Sequence, residues 1–417
     1  MRIAIIAEVF LPKVDGVVVR TMNLIEHLQR SGDEVLVVCP EAEGRRDCSV
    51  PVVEFRSFPF PTYPEYRIGL PDQRLVTAVR DFAPDVVHYI NPFAFGFRCY
   101  DRLRKGGLDL PNVFSFHTLY GEFVKRYGVL KPLSRMLWWL TREYHNCADL
   151  NLTVSAIMRE ELIRRGFERV ECWPPAVDSA LFQPERENDE MRRRIAGGEC
   201  EKPLLLTVSR LAPEKNVAFL ADVLEQAPGA RLAIIGDGPQ REELERRFAN
   251  VDAHFVGYLQ GAELAAAYAS ADAFIYASET ETMGNVVLEA MASGLPVIAP
   301  AAGGIPSLVV HGETGLLFAP GQLDEAVGHV QAVLTDEALR ERLGASARQT
   351  VQAWDWNNSV ETVRQSYLNS IEQHGRRNGR RVPGHHLARA TVGGLVMAFR
   401  AVPRRRKKAN PISTTPA

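Results

Sequence analysis

The 417-residue chain is short of cysteine and of the common nucleotide signatures. Its six cysteines, Cys39, Cys48, Cys99, Cys147, Cys172 and Cys200, lie far apart without a Cys-x-x-Cys pair, which removes a disulfide framework and a zinc site and fits idle thiols in a reducing compartment. No Gly-x-x-x-x-Gly-Lys-Ser/Thr run occurs, and no Gly-x-Gly-x-x-Gly follows the first apolar run. Both absences count against P-loop ATPases and dinucleotide-dependent dehydrogenases. No Asp-x-Asp argues for a divalent ion held by paired carboxylates. No apolar stretch approaches the roughly 20 residues that span a bilayer, and MRIAIIAEVF lacks the basic-then-apolar order of a secretory leader. A cytoplasmic protein without a metal is expected.

What is present is enough for a large core. With 46% apolar and 24% charged residues, the chain should form two domains of ordinary size. The net charge of −2 hides an asymmetry: eleven of the Lys and Arg residues lie in 375–417, which has no acid, leaving the remainder at −13.

Short β-branched runs alternate with longer amphipathic segments at 2–8, 33–39, 85–90, 112–117 and 149–155, and the rhythm repeats at 203–209, 230–236, 253–258, 272–278, 296–300 and 315–320. That pattern predicts βαβ units around parallel sheets buried on both faces. The expectation is an α/β chain of two doubly wound, Rossmann-like domains, at 1–184 and 185–354. A helix over 355–374 packs back on the first domain, and a loosely ordered basic tail spans 375–417. Ligands of open α/β sheets bind beyond the carboxyl ends of the strands, so the site should lie between the domains.

The most informative stretch is YASETETMGNVVLEAMASGLPVIAP, 276–300. A strand ends near Ser278 and a helix starts around Gly284. Glu281 then sits in the loop and Glu289 in the second helical turn, so both can face one ligand. The amides of Met283, Gly284 and Asn285 at the helix start form a ready anion site. Spacing alone leaves each glutamate open between a solvated carboxylate and a ligand group. In VSRLAPEKNV, 208–217, Arg210 and Lys215 follow a buried strand across a proline turn that can aim both cations into the crevice. Gly236, in GDGP, permits close approach of backbone to a ligand, as does Gly16 in the loop 11–21. His117 ends the strand run 112–117, where a catalytic group would project.

In this order and spacing, AEVFLPKVDGVV, FSFHT, VSRLAPEKN, IIGDGP, FVGYL and SETETMGNVVLEAMASGLPV resemble the GT-B-type glycosyltransferases of family 4. Within that family the chain is most similar to bacterial GDP-mannose-dependent α-mannosyltransferases and sulfoquinovosyl- or glucosyl-diacylglycerol synthases. The resemblance implies a retaining hexosyltransferase that needs no cofactor beyond its nucleotide-sugar substrate, UDP- or GDP-linked. It implies that Arg210 and Lys215 neutralise the departing diphosphate together with the amides near Gly284. Glu289 would hold the ribose, Glu281 and His117 the sugar, Gly16 would approach the phosphate, and Gly257 would border the base. Three departures stand out: Gly16-Val17 where relatives have two glycines, Leu119 after His117-Thr118, and Pro175-Ala176-Val177-Asp178 in the linker. A nucleotide-sugar 2-epimerase and a non-catalytic sugar-nucleotide sensor remain alternatives.

The acceptor side is read from residues 125–145, where Leu133, Met136, Leu137, Leu140 and Tyr144 line one helix face among five cations, with Trp138 and Trp139 suited to a headgroup boundary. Together with the tail cluster Arg404–Lys408 they predict peripheral binding to an anionic membrane surface, and a lipid or glycolipid acceptor. The loop 57–71 would line its entrance. Nucleic acid is disfavoured by the acidic body.

Overall fold

The computed structural model describes residues 1–13, 15–44, 48–60, 63–118, 134–198 and 201–376. The expectations for 125–133 and for 377–417 fall outside the described residues.

Every apolar run expected to be a strand contains one, with its ends shifted by at most three residues. Seven parallel strands form the first sheet, in the order Val52–Phe55, Glu34–Pro40, Arg2–Ala7, Val86–Ile90, Asn112–Phe116, Leu150–Thr153 and Val170–Cys172. Arg2–Ala7 is central because it is apolar on both faces: Ile3 through Ala7 are fully buried, and Ile3 pairs with Val35 on one side and Val86 on the other. Six parallel strands form the second sheet, in the order Ala253–Gly257, Arg231–Ile235, Leu204–Val208, Ala273–Ile275, Val297–Pro300 and Gly315–Phe318. In each sheet the order reverses beside the first strand of the series. Those reversals open the crevices that carry ligand sites in doubly wound folds.

Two edge strands, Val52–Phe55 and Val170–Cys172, escape the sequence reading because three or four residues carry too little pattern. The segment 57–71 is corrected more substantially. Instead of a loop it is an antiparallel hairpin of Ser57–Phe60 and Tyr63–Gly69. Its prolines obscure the strand signal, and a two-stranded ribbon tolerates the missing N–H of Pro59 on an open edge. The Tyr66 hydroxyl donates to Glu8 at 2.5 Å, just past the central strand. Glu8 also accepts from the amides of Phe93, Phe95 and Gly96. Its burial outweighs these donors and raises its pKa.

The helix Trp356–Arg376 lies on the first sheet. Val360, Val363 and Tyr367, at spacings of three and four, are buried with Ile3, Ile5, Leu24 and Trp173. The Tyr367 hydroxyl meets His88 Nδ1 at 2.7 Å, and Arg364 pairs with the buried Asp33. Among the described residues, no helix is long and apolar enough to cross a membrane.

Candidate functional site

The second lobe presents a loop between Ile275, the end of a strand, and the helix Asn285–Ala292. Gly284 sits ahead of that helix at φ 96°, where a side chain would be strained. The loop rests on two glycines that sequence reasoning missed. A Cβ on Gly303 would fall 2.2 Å from the Glu281 carbonyl oxygen, and one on Gly304 2.1 Å from that of Thr282. The Gly304 amide donates to the Glu281 carbonyl at 2.8 Å. The adjacent pair Gly303-Gly304 was the available signal.

Lys215 lies on the short turn Pro213–Lys215, followed by Asn216 at φ 51°. Its ammonium donates to the Glu281 carboxylate, and the Tyr276 hydroxyl joins them, 3.3 Å from Lys215 and 2.7 Å from Glu281. Burial opposes both charges, but each holds the other ionised. Lys215 stays above the usual lysine range and Glu281 below the usual carboxylate range. Tyr276 is a member of this site that the sequence did not mark as one.

Arg210 is partly buried on the segment leading into the same turn. At Gly236 the structure shows a close approach to the protein's own backbone. A Cβ there would lie 1.9 Å from the Ser209 carbonyl oxygen. Gly236 therefore lets the segment bearing Arg210 pack down, at φ 132°. Its amide donates to the carbonyl of Gly257, which closes the strand Ala253–Gly257 at φ 88° ahead of the exposed Tyr258.

Glu289 lies in the second turn of the helix, where Tyr268 donates a 2.9 Å hydrogen bond to it. Burial raises its pKa to about 7, against the opposing effect of Tyr268. Glu281 and Glu289 thus rest on different tyrosines, and their proton affinities are pushed in opposite directions.

The first lobe meets this loop directly. Asn285 donates to the Gly16 carbonyl at 3.2 Å, and the space beside Gly16 is occupied by the Asn285 amide, 2.9 Å from where a Cβ would lie. Asp15 caps the helix Gly16–Arg30 by accepting from Val17 and Val18. Thr282 donates to the His117 carbonyl at 2.7 Å. His117 is buried against Trp173, its Nε2 lies 2.9 Å from Ser115 Oγ, and its amide donates to Asn91. Burial, with Arg20 and His88 acting in the same direction, keeps its ring well below the usual histidine range and therefore neutral. His117, Gly16, Glu281, Met283, Gly284 and Asn285 thus come together where the lobes touch. Among the described residues, no three His, Cys, Asp or Glu side chains could hold a metal ion.

The indoles of Trp138 and Trp139 are half-buried and have protein partners. In the helix Ser134–His145, Leu137, Leu140 and Tyr144 are buried as the pattern requires. Trp138 stacks on Phe116 at 6.0 Å under the Arg165 guanidinium, 4.0 Å from its ring, and Trp139 packs against the first-lobe core.

Comparison with known proteins agrees with this architecture. The model of glycosyltransferase family 4 matches residues 14–181, and that of glycosyl transferases group 1 matches 189–350. The sulfoquinovosyl transferase SQD2 of Arabidopsis thaliana is 38% identical over 84% of this chain and 70% of its own. A GDP-mannose-dependent alpha-mannosyltransferase of Mycobacterium tuberculosis is 38% identical over 85% of this chain and 93% of its own. Alpha-monoglucosyldiacylglycerol synthase of Acholeplasma laidlawii is 24% identical over 90% and 99%. Among solved structures, Anabaena HepE in complex with UDP and glucose superposes with a TM-score of 0.71 over 88% of this chain and 99% of its own, at 20% identity. The chain belongs to glycosyltransferase family 4 and has the GT-B fold of two Rossmann-like domains. It is a glycosyltransferase.

Proposed function

We propose that the enzyme moves a hexose from a UDP- or GDP-linked donor to a lipid or glycolipid acceptor at the cytoplasmic face of a membrane. The anomeric configuration is retained, and acceptor and leaving group share one face of the sugar. The observation that carries this reading is Lys215, an ammonium held charged by Glu281 and Tyr276 beside the contact between lobes.

Cleaving a nucleotide-sugar puts growing negative charge on the diphosphate, so the protein's main tasks are electrostatic and positional. Arg210, Lys215 and the amides at the start of the helix Asn285–Ala292 take up that charge, and no metal ion is needed for it. When the diphosphate attracts Lys215, Glu281 is released toward the sugar hydroxyls. His117, kept neutral, hydrogen-bonds the sugar from the first lobe. Glu289 accepts from the ribose hydroxyls. Gly257 borders the base.

The lipid acceptor is supported by the relative whose name specifies a diacylglycerol product, and by the eleven cations of 375–417. A panel of radiolabelled nucleotide-sugars incubated with membrane lipids tests the reading. One donor should yield a labelled lipid and release nucleoside diphosphate. Label passing only to water, or donor binding without turnover, refutes it.

A further inference from the structure

Arg20 is almost completely buried, at 1% exposure, yet no carboxylate pairs with it among the described residues. It lies on the helix Gly16–Arg30, directly behind the contact between lobes. Its Nη2 donates to the carbonyls of Trp173 and Pro174 at 3.0 and 2.7 Å, and its Nη1 points at Met283 Sδ at 3.1 Å. The guanidinium stacks over Trp173 at 4.2 Å and stands 5.8 Å from the Trp356 ring. Its Nε has no hydrogen-bond partner among the described residues. One side chain therefore touches both places where the chain passes between lobes, near 173 and near 356, and the loop that precedes the helix Asn285–Ala292.

A buried charge normally needs an opposite charge, because the surroundings return little of the lost hydration. Carbonyl dipoles, a thioether and two aromatic faces stabilise a guanidinium without neutralising it. Burial pulls its pKa down to about 9, which leaves it charged at neutral pH. Arg20 thus brings to the back of the Met283 loop a positive charge that no carboxylate pairs with among the described residues.

We propose that Arg20 is a positioning residue for the donor: it pins both interlobe crossings against the Met283 loop, and the donor's diphosphate supplies the counter-charge that it otherwise lacks. This rests on the placement of the diphosphate under Proposed function. The anion does not touch Arg20. It is felt through the dry layer of Met283 and Trp173, where charges interact over longer distances than in water. Binding of the donor then also relieves the cost of a lone buried cation, which couples closure of the cleft to occupancy by a diphosphate rather than by a nucleoside.

The test compares the full chain with Arg20→Gln, Arg20→Met and Arg20→Lys by calorimetric titration with UDP, GDP, uridine and guanosine. Nucleotide-induced shifts in unfolding temperature are measured alongside, and Lys215→Ala is the control. Arg20→Gln keeps an N–H for the two carbonyls, and Arg20→Met keeps the apolar stem; each removes the charge. Both should lose diphosphate affinity by on the order of tenfold, the effect of one charge pair in a partly dry site. Nucleoside affinity should change less than twofold, and Arg20→Lys should recover most of the loss. Unchanged diphosphate affinity in the neutral variants overturns the proposal, as does an equal loss for nucleoside and diphosphate, which marks a purely structural brace. If Lys215→Ala weakens diphosphate binding while the Arg20 variants do not, the donor site stands and the role of Arg20 falls. If the wild-type chain binds no diphosphate, the donor-site reading falls and takes this one with it.

Discussion

The hydroxyl of Thr282 donates to the main-chain carbonyl of His117 at 2.7 Å, so the loop that carries Glu281 in one lobe is fastened to a strand end in the other. A side chain reading a carbonyl gives this contact a fixed direction; Thr282 adjoins Glu281, and both Glu281 and His117 are proposed to meet the sugar. Thr282→Val keeps the shape and removes the bond. Loss of one such hydrogen bond, about 1 kcal/mol, should raise the donor KM about fivefold and leave the unfolding temperature nearly unchanged. Steady-state kinetics with a thermal scan checks it.

Glu289 gives a pH signature. Its folded pKa of about 7 lies above the ordinary 4.5, so the folded state favours the proton. The associated stability is complete below about pH 4.5 and is lost as pH rises through about 7. Relative to Glu289→Gln, the wild-type chain should lose on the order of 1–3 kcal/mol between pH 5 and pH 8. On the proposed role of Glu289, ribose hydroxyls donate to the ionised carboxylate, so the wild-type donor KM should fall over the same range while that of Glu289→Gln stays flat. Unfolding temperatures and donor KM at both pH values decide it.

Gly303→Ala tests the support under Glu281. The added methyl would sit 2.2 Å from the Glu281 carbonyl oxygen at a backbone φ of 59°. The change should cost about 2–4 kcal/mol through strain and overpacking. Turnover should drop in the fraction that remains folded. Denaturant unfolding and kinetics measure the two effects separately.

Much of this could be read from the chain. Strands buried on both faces announce themselves as continuous apolar runs, which is why the central strands of both sheets and their order of appearance were legible. The hairpin 57–69 was not, because its prolines mimic a loop. Lys215, Glu281 and Glu289 stand out because charged residues beside a buried strand need a reason. Tyr276, Tyr268 and Arg20 do not, because in sequence they look like ordinary core or helix residues. Their roles come from long-range packing, such as Arg20 reaching Met283, which lies 263 residues away. Gly236 was legible as a point of close approach, but its packing on Ser209 was not, since that neighbour is brought in by the fold. The stacking of Trp138 on Phe116 was likewise hidden, being invisible to helical periodicity.

Truncation after Arg376, the last residue of the helix Trp356–Arg376, tests the membrane proposal. It removes ten of the eleven cations of 375–417. Near an anionic surface each contributes on the order of 1 kcal/mol. The shortened enzyme should cosediment far less with anionic vesicles while hydrolysing donor at the full rate. Unchanged sedimentation would assign the tail another purpose.

The most direct measurement is the turnover number of Lys215→Ala at saturating donor, set beside its unfolding temperature. Removing the ammonium proposed to take up charge on the departing diphosphate should cut turnover by on the order of 100-fold or more in a protein that remains folded. Turnover close to that of the wild-type enzyme, in a folded variant, would contradict the cationic site between the lobes.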